Sequence, residues 1–290
     1  MTSSQAIAMA GLALALAVGA CAAQGPKPEQ RAAAAPVVPR AGERMSDGQS
    51  KAAIPGQAAE NLLRLGDEVL ARGDAVTAIA LYRRAVEQSN GSDIALVRLG
   101  DALASAGDNE QAAGAFRSAL SHNPHNVDAQ RGLGAADVAT GRAEQGVQLL
   151  MQVVAARPND LRAERSLGVG LDMIGLQNEA QATYKEALRL APDDVDLRSN
   201  LALSLSLSGE HTAATRMMRD VAASPYARPQ HRRNLVLVLI LAGRDGEAER
   251  AAAEAMAADE AQALLTWAKG IRSVNGSAAR ALAIGAVAPN

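Results

Sequence analysis

The sequence predicts an all-α solenoid of about six helix-turn-helix repeats that ends in a capping helix. The main observation is an internal period of 34 residues, a length typical of stacked helical repeats. Six glycines keep this period without insertion or deletion: Gly73, Gly107, Gly141, Gly175, Gly209 and Gly243. The second observation is that the 290-residue chain is 48% hydrophobic but only 2% aromatic. A core rich in alanine and leucine favours helices because these side chains lose little entropy there.

The composition also excludes several classes of protein. The hydrophobic fraction is too high for a disordered chain. The formal net charge of −2 provides no field that would attract nucleic acid. The single cysteine can form neither an internal disulfide nor, by itself, a cysteine-based zinc site. We therefore expect a folded protein with no nucleic-acid partner.

Residues 1–20 have the character of a bacterial export signal. They contain no charged side chain, and the apolar run Ala6–Ala20 has the length of a signal-peptide core. It is shorter than the roughly 20 residues that span a bilayer. The run ends in Val-Gly-Ala directly before Cys21, which resembles the lipobox of bacterial lipoproteins.

The lipobox resemblance implies cleavage before Cys21 and lipid attachment to that residue. Because Ala22 rather than aspartate follows, it also implies the periplasmic face of the outer membrane. Several acyl chains hold a protein at a membrane, whereas one binds only marginally. An ordinary signal peptide or an uncleaved anchor is the alternative, since no lysine or arginine precedes the apolar run.

The segment 21–58 is expected to be the lipidated cysteine followed by a disordered tether. No helical or strand period is present in it, and five of the eleven prolines lie there: Pro26, Pro28, Pro36, Pro39 and Pro55. Random-coil scaling gives a chain of this length a reach of roughly 30–40 Å. Such a tether would hold a folded domain clear of the lipid headgroups.

The 34-residue frame aligns two further sets of positions. Seven residues before the periodic glycines, and each after a leucine, stand Gly66, Gly100, Gly134, Gly168, Ala202 and Val236. Nine residues after the periodic glycines stand Tyr82, Phe116, Leu150, Tyr184, Met218 and Ala252. Small residues allow two helices to approach closely, the large residue fills the space between them, and the periodic glycine ends the first helix. Asp137 interrupts an apolar position of the third repeat, and Ala252 leaves the sixth underfilled.

This pattern resembles the tetratricopeptide repeat. The resemblance implies a right-handed superhelix in which the first helix of each repeat, helix A, lines the inner face, and helix B lies behind it. The core would be buried by stacking of neighbours. The predicted repeats are 59–92, 93–126, 127–160, 161–194, 195–228 and 229–262.

Residues 263–290 complete the chain after the sixth repeat. They begin with Leu264, Leu265 and Trp267, which predict a capping helix over that repeat. The end, from Gly276 to Asn290, is expected to be loose.

The sequence contains no sign of an enzyme. Leader, tether, repeats and cap leave nothing that could fold as a separate catalytic domain of about 50 residues or more. No His-Glu-x-x-His, Gly-x-Ser-x-Gly or Walker-type motif is present. The histidines do not converge: His122 and His125 flank a turn proline, and His211 and His231 stand alone. We therefore expect a non-enzymatic binding scaffold without metal or cofactor.

The candidate partner-binding residues occupy inward positions of the helices A. Arginine can hold a carboxylate through two parallel hydrogen bonds, and asparagine can pair with a peptide backbone as donor and acceptor. The set is Arg64, Arg98, Arg131, Arg165, Asn200, Arg233 and Asn234. For any single residue an ordinary solvated side chain is the alternative. The mixture of aliphatic and basic residues suits an extended or helical polypeptide.

The sixth repeat carries a more specific resemblance. Its stretch Arg-Arg-Asn-Leu-Val-Leu from Arg232, followed by Ala-Gly-Arg ending at Arg244, is similar to the TadD lipoproteins of tight-adherence (Flp) pilus assembly. A related Arg-x-Asn-Leu-Ala-Leu stretch begins at Arg198. The resemblance implies that the partner is the outer-membrane secretin or another pilus or secretion component, which the protein helps to assemble or localise as pilotins do.

Two alternatives to the pilus role stay open at this point. One is a general envelope scaffold for outer-membrane protein assembly or for recruitment of cell-wall enzymes. The other is a cytosolic adaptor with an uncleaved N-terminus.

Overall fold

The computed structural model describes residues 55–286, and within this range the chain forms fourteen helices and no strand. The predicted signal segment, Cys21 and most of the predicted tether lie outside the described residues. None of the described helices combines the length and the hydrophobicity that crossing a bilayer requires. The helices are α1 (Pro55–Ala71), α2 (Ala75–Gln88), α3 (Asp93–Ser105), α4 (Asn109–His122), α5 (Val127–Ala139), α6 (Ala143–Ala156), α7 (Leu161–Met173), α8 (Gln177–Leu190), α9 (Val195–Leu207), α10 (His211–Ala223), α11 (Pro229–Leu241), α12 (Asp245–Ala255), α13 (Ala258–Ser273) and α14 (Ser277–Ala286).

Helices α1 to α12 form six helix pairs that stack in chain order. Each helix A packs against helix B of its own repeat, and helix B then packs against helix A of the next repeat. Because each pair contacts mainly its neighbours, the core is buried by stacking rather than around one centre. The predicted all-α solenoid is confirmed.

The periodic glycines close the turn between helix A and helix B. All six have a positive φ, from 71° at Gly243 to 90° at Gly209, a region that glycine adopts without strain. Two residues further on, helix B begins with a side-chain cap in some repeats. In the second repeat the Asp108 carboxylate accepts a hydrogen bond from the Gln111 amide at 3.2 Å.

The residues that face each other across helices A and B are matched in size. In the fourth repeat a β-carbon added at Gly168 would lie 2.3 Å from the ring of Tyr184, so only glycine fits there. In the sixth repeat the order of sizes is reversed, and Val236 and Ala252 are both fully buried where α11 packs on α12. Val236 therefore supplies the volume that Ala252 lacks.

Asp137, which interrupts the apolar pattern of the third repeat, is buried and paired. Its carboxylate accepts hydrogen bonds from Arg142 Nε at 2.8 Å and from Arg117 Nη2 at 3.2 Å. Arg142 also donates to Glu110 in the second repeat at 2.8 Å. A buried charge is tolerated when it is paired in this way, so Asp137 links two repeats instead of disrupting one.

Both ends of the described region differ from the sequence prediction. The first described helix already includes Pro55, inside the predicted tether, and proline is tolerated in the first turn of a helix. The capping helix α13 begins at Ala258, before the predicted boundary at residue 263. Leu264 and Leu265 are buried as α13 covers α11.

The loose end predicted for Gly276 to Asn290 is not what the structure has over Ser277–Ala286, where the chain forms α14. Two of its side chains, Ala281 and Ile284, are buried. The physical reason is that α14 packs on α7 and α9, helices A of the fourth and fifth repeats. Contact with distant repeats is invisible in a local sequence pattern.

Candidate binding groove

The helices A form one continuous wall, which we call the groove. They contact each other in order, α3 with α5, α5 with α7, α7 with α9 and α9 with α11. The starts of α7 and α9 are fixed by N-cap aspartates, Asp160 and Asp194, which accept hydrogen bonds from the Ala163 and Leu197 amides at 3.0 Å. Because each cap sets the helix register, the inward positions follow at fixed distances along the chain.

Arg131 and Arg165 connect each repeat to the next one. Arg131 on α5 donates to Asp160 at 3.2 Å, and Arg165 on α7 donates to Asp194 at 3.3 Å. Both guanidinium groups are largely buried. Burial alone would raise the pKa of Asp160, but the hydrogen bond from the Ala163 amide and the charge of Arg131 outweigh it and lower that pKa. These arginines therefore hold the stack together at the groove wall.

Arg64 and Arg98 lie in the N-terminal part of the groove and remain accessible. Arg64 pairs with Glu68 on its own helix at 2.6 Å. Arg98 forms an ion pair with Asp67 on the preceding helix A, and Tyr82 Oη donates to the same carboxylate at 2.7 Å. The Arg98 side chain is still 47% exposed, so a ligand could reach it.

Arg233, Asn234 and Asn200 lie in the C-terminal part of the groove. Arg233 donates twice to Glu260 on α13, at 2.9 and 2.6 Å. Asn234 Nδ2 donates to Ser199 Oγ on α9 at 3.0 Å. Asn200 is buried, and its Nδ2 has no hydrogen-bond partner among the described residues. A role of these three side chains in partner binding stays a prediction.

The N-terminal half of the groove is charged and open. Arg162 on α7 faces Asp101 on α3 at 3.4 Å, and its side chain is 55% exposed. These two residues line a small pocket together with Arg131 and Arg165. We call this part the open region. It offers both signs of charge to the side chains or the backbone of a polypeptide.

The part of the groove formed by the ends of α7 and α9 is mainly apolar, and it is covered. Beside the polar side chains named above, four inward side chains are aliphatic and buried: Val169, Met173, Leu203 and Leu207. They belong to α7 and α9, on which α14 packs. We call this part the covered region. Its apolar character could be read from the sequence, but its cover could not.

Asp172 is a buried carboxyl group at the edge of the covered region, and sequence reasoning missed it. It accepts hydrogen bonds from Ser204 Oγ at 2.7 Å and Tyr184 Oη at 3.2 Å. Burial raises the pKa of Asp172 to about 7, although both hydrogen bonds act in the opposite direction. Burial also raises the pKa of Tyr184. The signal in the sequence was an aspartate where the neighbouring repeats have Val138 and Ser206.

His231, which stands alone in the sequence, caps the start of α11. It is fully buried, and its Nδ1 accepts a hydrogen bond from the Arg228 amide at 3.0 Å. Its Nε2 lies 2.9 Å from Asp196 on α9. Burial would raise the pKa of Asp196, but hydrogen bonds from His231 and Arg228 outweigh it and lower the pKa to about 2. Among the described residues no cluster of three or more His, Cys, Asp and Glu side chains could hold a metal ion.

Two segments of the chain, 69–114 and 103–167, match the Tetratricopeptide repeat family. No curated protein sequence matches significantly. The fold is similar to a tetratricopeptide repeat protein from Parabacteroides merdae ATCC 43184, at 16% identity over 74% of this chain and 86% of that chain, with a TM-score of 0.58. It is also similar to PilF of Pseudomonas aeruginosa, at 19% identity over 69% of this chain and 91% of that chain, with a TM-score of 0.54. A third similar structure is the thermophilic protein TTC0263 of Thermus thermophilus, at 23% identity over 63% of this chain and 100% of that chain, with a TM-score of 0.54.

These similarities confirm the tetratricopeptide-repeat solenoid. Because the sequence identities are low, they establish the fold and carry no information on the partner. No catalytic family is indicated by the matches. Arrays of this kind present extended concave surfaces for binding other molecules, and the groove has that form.

Proposed function

We propose that this protein is a non-enzymatic lipoprotein scaffold at the periplasmic face of the outer membrane, anchored through acylated Cys21. It binds a protein partner through the groove. The observation that carries the binding role is the open region, where exposed charged side chains from the first, second and fourth repeats line one wall. The lipobox resemblance at the only cysteine of the chain supports the anchor.

The partner is proposed to be the outer-membrane secretin or another component of a pilus or secretion system. This assignment depends on the resemblance of the sixth repeat to TadD lipoproteins. In such a system the lipid would fix the scaffold at the membrane, and the groove would hold a segment of the component while it assembles or is localised.

The anchor is tested by labelling cells with radioactive palmitate. The wild-type chain is expected to incorporate label, and the Cys21→Ala chain is expected to incorporate none, because that residue provides the only thiol. Equal labelling of both chains, or no labelling of the wild type, would exclude the lipoprotein. The second result would favour the cytosolic adaptor.

The groove is tested by changing two exposed arginines of the open region. Arg98→Gln combined with Arg162→Gln is expected to reduce recovery of the partner from detergent-solubilised envelope about tenfold, since loss of about 1.4 kcal/mol of binding free energy has that effect. The matched control is Arg84→Gln with Arg189→Gln, which removes the same charge from exposed positions of helices B. Circular dichroism checks that both variants stay folded.

The recovered proteins are identified by mass spectrometry, with antibodies against the secretin as a direct readout. Secretin recovery that falls in the groove variant and not in the control supports the proposal. Equal recovery with both variants would show that the open region does not bind the partner. Recovery of outer-membrane assembly factors or cell-wall enzymes in place of the secretin would indicate the general envelope scaffold.

A further inference from the structure

Helix α14 lies inside the groove and not at the end of the solenoid. It contacts α7 and α9, in addition to the preceding α13. Its first residue, Ser277, donates a hydrogen bond to Gln177 Oε1 at the start of α8, at 3.0 Å. A β-carbon added at Gly175 would lie 3.2 Å from the Ala278 methyl group. The helix therefore starts directly over the turn between α7 and α8.

The two faces of α14 differ sharply in exposure. Ala281 and Ile284 are only 5% and 4% exposed, whereas Leu282 is 41% exposed. The buried face lies over the aliphatic side chains of the covered region, and Ala281 and Ile284 share a small gap of about 30 Å³ with residues of α7 and α9. The polar residues Asp172 and Asn200 also line this gap, so the contact is mainly apolar, and it is not tightly filled.

Few interactions fix α14 in this place. A helix of ten residues is only marginally stable on its own, so α14 depends on the groove for its helical form. Ser277 provides the hydrogen bond to Gln177 on α8 described above, while Arg280 donates to carbonyls of the preceding chain, Val274 at 2.7 Å and Arg272 at 3.3 Å. The link from α13 is short and contains Gly276 at a φ of 88°.

We propose that the covered region is a docking site for a short apolar helix, that α14 fills this site within the chain, and that a partner helix of the same chemistry displaces it. This inference rests on the proposed function, in which the groove binds a protein. It adds that the groove has a second site besides the open region and states which kind of segment that site takes.

The chemistry of α14 defines the helix that fits. Its ten residues include one charged side chain, Arg280, which is held by the chain's own carbonyls. A small residue and a larger aliphatic residue follow each other on the buried face, three positions apart, at Ala281 and Ile284. The preferred partner segment is therefore a helix whose docking face is uncharged and carries a small residue followed three positions later by an aliphatic residue.

The test uses the full chain in detergent solution and a labelled peptide with the natural sequence of residues 275–286. Ile284→Asp places a charge on the buried face of α14 and should release it from the groove. Leu282→Asp is the matched control, since it adds the same charge to the exposed face. Fluorescence anisotropy then measures binding of the peptide to the wild-type chain and to both variants.

The peptide is expected to bind the Ile284→Asp chain at least about tenfold more tightly than the wild-type or Leu282→Asp chain, because a tethered helix competes at high effective concentration. A peptide that itself carries Ile284→Asp should not bind. Equal binding to all three chains, or no binding to the folded Ile284→Asp chain, would overturn the proposal. Ala281→Glu is a second opening variant, and it replaces Ile284→Asp if that chain does not fold.

Light scattering distinguishes another occupant of the groove. A wild-type dimer that Ile284→Asp dissociates would assign the covered region to α14 of a second copy, and the proposal would be wrong. The peptide assay uses neither membrane nor partner. A negative peptide result would therefore not contradict the lipid anchor or binding by the open region. A negative envelope result would likewise not contradict the peptide result.

Discussion

Replacement of Gly132 by alanine is expected to lower the free energy of unfolding by about 2–3 kcal/mol through overpacking, although alanine is the better helix former. Gly132 lies inside α5, and an added β-carbon would be 2.3 Å from Cε1 and Cζ of Phe116. The ring has little room to retreat, because the same ring atoms also lie against Gly100, where an added β-carbon would be 2.6 Å from Cε1. Phe116 is fully buried between these helices. Urea unfolding followed by circular dichroism measures the loss.

The chain offers a matched control and a compensating change. At Gly114, inside α4, an added β-carbon would meet nothing within 4 Å, so Gly114→Ala should stabilise the protein by about 0.5–1 kcal/mol. Phe116→Leu should provide room, since the third repeat has Leu150 at the equivalent position. In that background Gly132→Ala should lose less than about 1 kcal/mol. The same loss in both backgrounds would contradict the packing explanation.

Gly100 and Gly132 also show how far the repeat pattern reaches. Gly100 belongs to a set of small residues that recur every 34 residues, so the sequence predicts a close approach of helices there. Gly132 has Arg98 and Ser166 at the equivalent positions, and the period gives no reason for a glycine. Its size is required by one aromatic ring of the preceding repeat. The period therefore predicts contacts within a repeat, whereas contacts between unlike repeats require the structure.

The groove likewise has features that the 34-residue period predicts and features that only the structure shows. The frame predicts that Arg131 and Arg165 point inward, because direction depends on helix register alone. It does not predict that the cap aspartates of the next repeat, Asp160 and Asp194, engage them. The position of helix α14 is harder still to predict, since α14 lies outside the repeats. It is held by α7 and α9, which are more than one repeat away along the chain. Residues that the repeat pattern places on the inner face are thus not all available to a partner.

The stability of the solenoid is expected to fall as the pH rises from about 4 to about 7, because of Asp172. The pKa of this carboxyl group rises from 3.8 to about 7 on folding, as burial disfavours the charged form. Between these values the unfolded chain has lost a proton that the folded chain keeps. The stabilising contribution is therefore complete below pH 4 and is lost as the pH passes the folded pKa.

Asp172→Asn tests this expectation, since asparagine resembles the neutral acid in shape and can still accept the Ser204 hydrogen bond. At pH 8 the variant should be more stable than the wild type by about 2–4 kcal/mol, as one pKa unit corresponds to about 1.36 kcal/mol. At pH 4 the two chains should coincide. Urea unfolding at intervals between pH 4 and pH 8 provides the comparison.

The difference between the two chains isolates Asp172 from other buried carboxyl groups. Burial also raises the pKa of Glu164. Because Glu164 is present in both chains, it changes the pH dependence of the free energy of unfolding equally in both. Asp196 acts in the opposite direction, since its pKa of about 2 gives stability that is lost only as the pH falls below about 4. Equal pH slopes for wild type and variant, or a variant that is less stable at pH 8, would mean that Asp172 is ionised in the folded protein. The apolar surroundings of the covered region make that outcome energetically unfavourable, because a charge there would have only Ser204 and Tyr184 as hydrogen-bond donors.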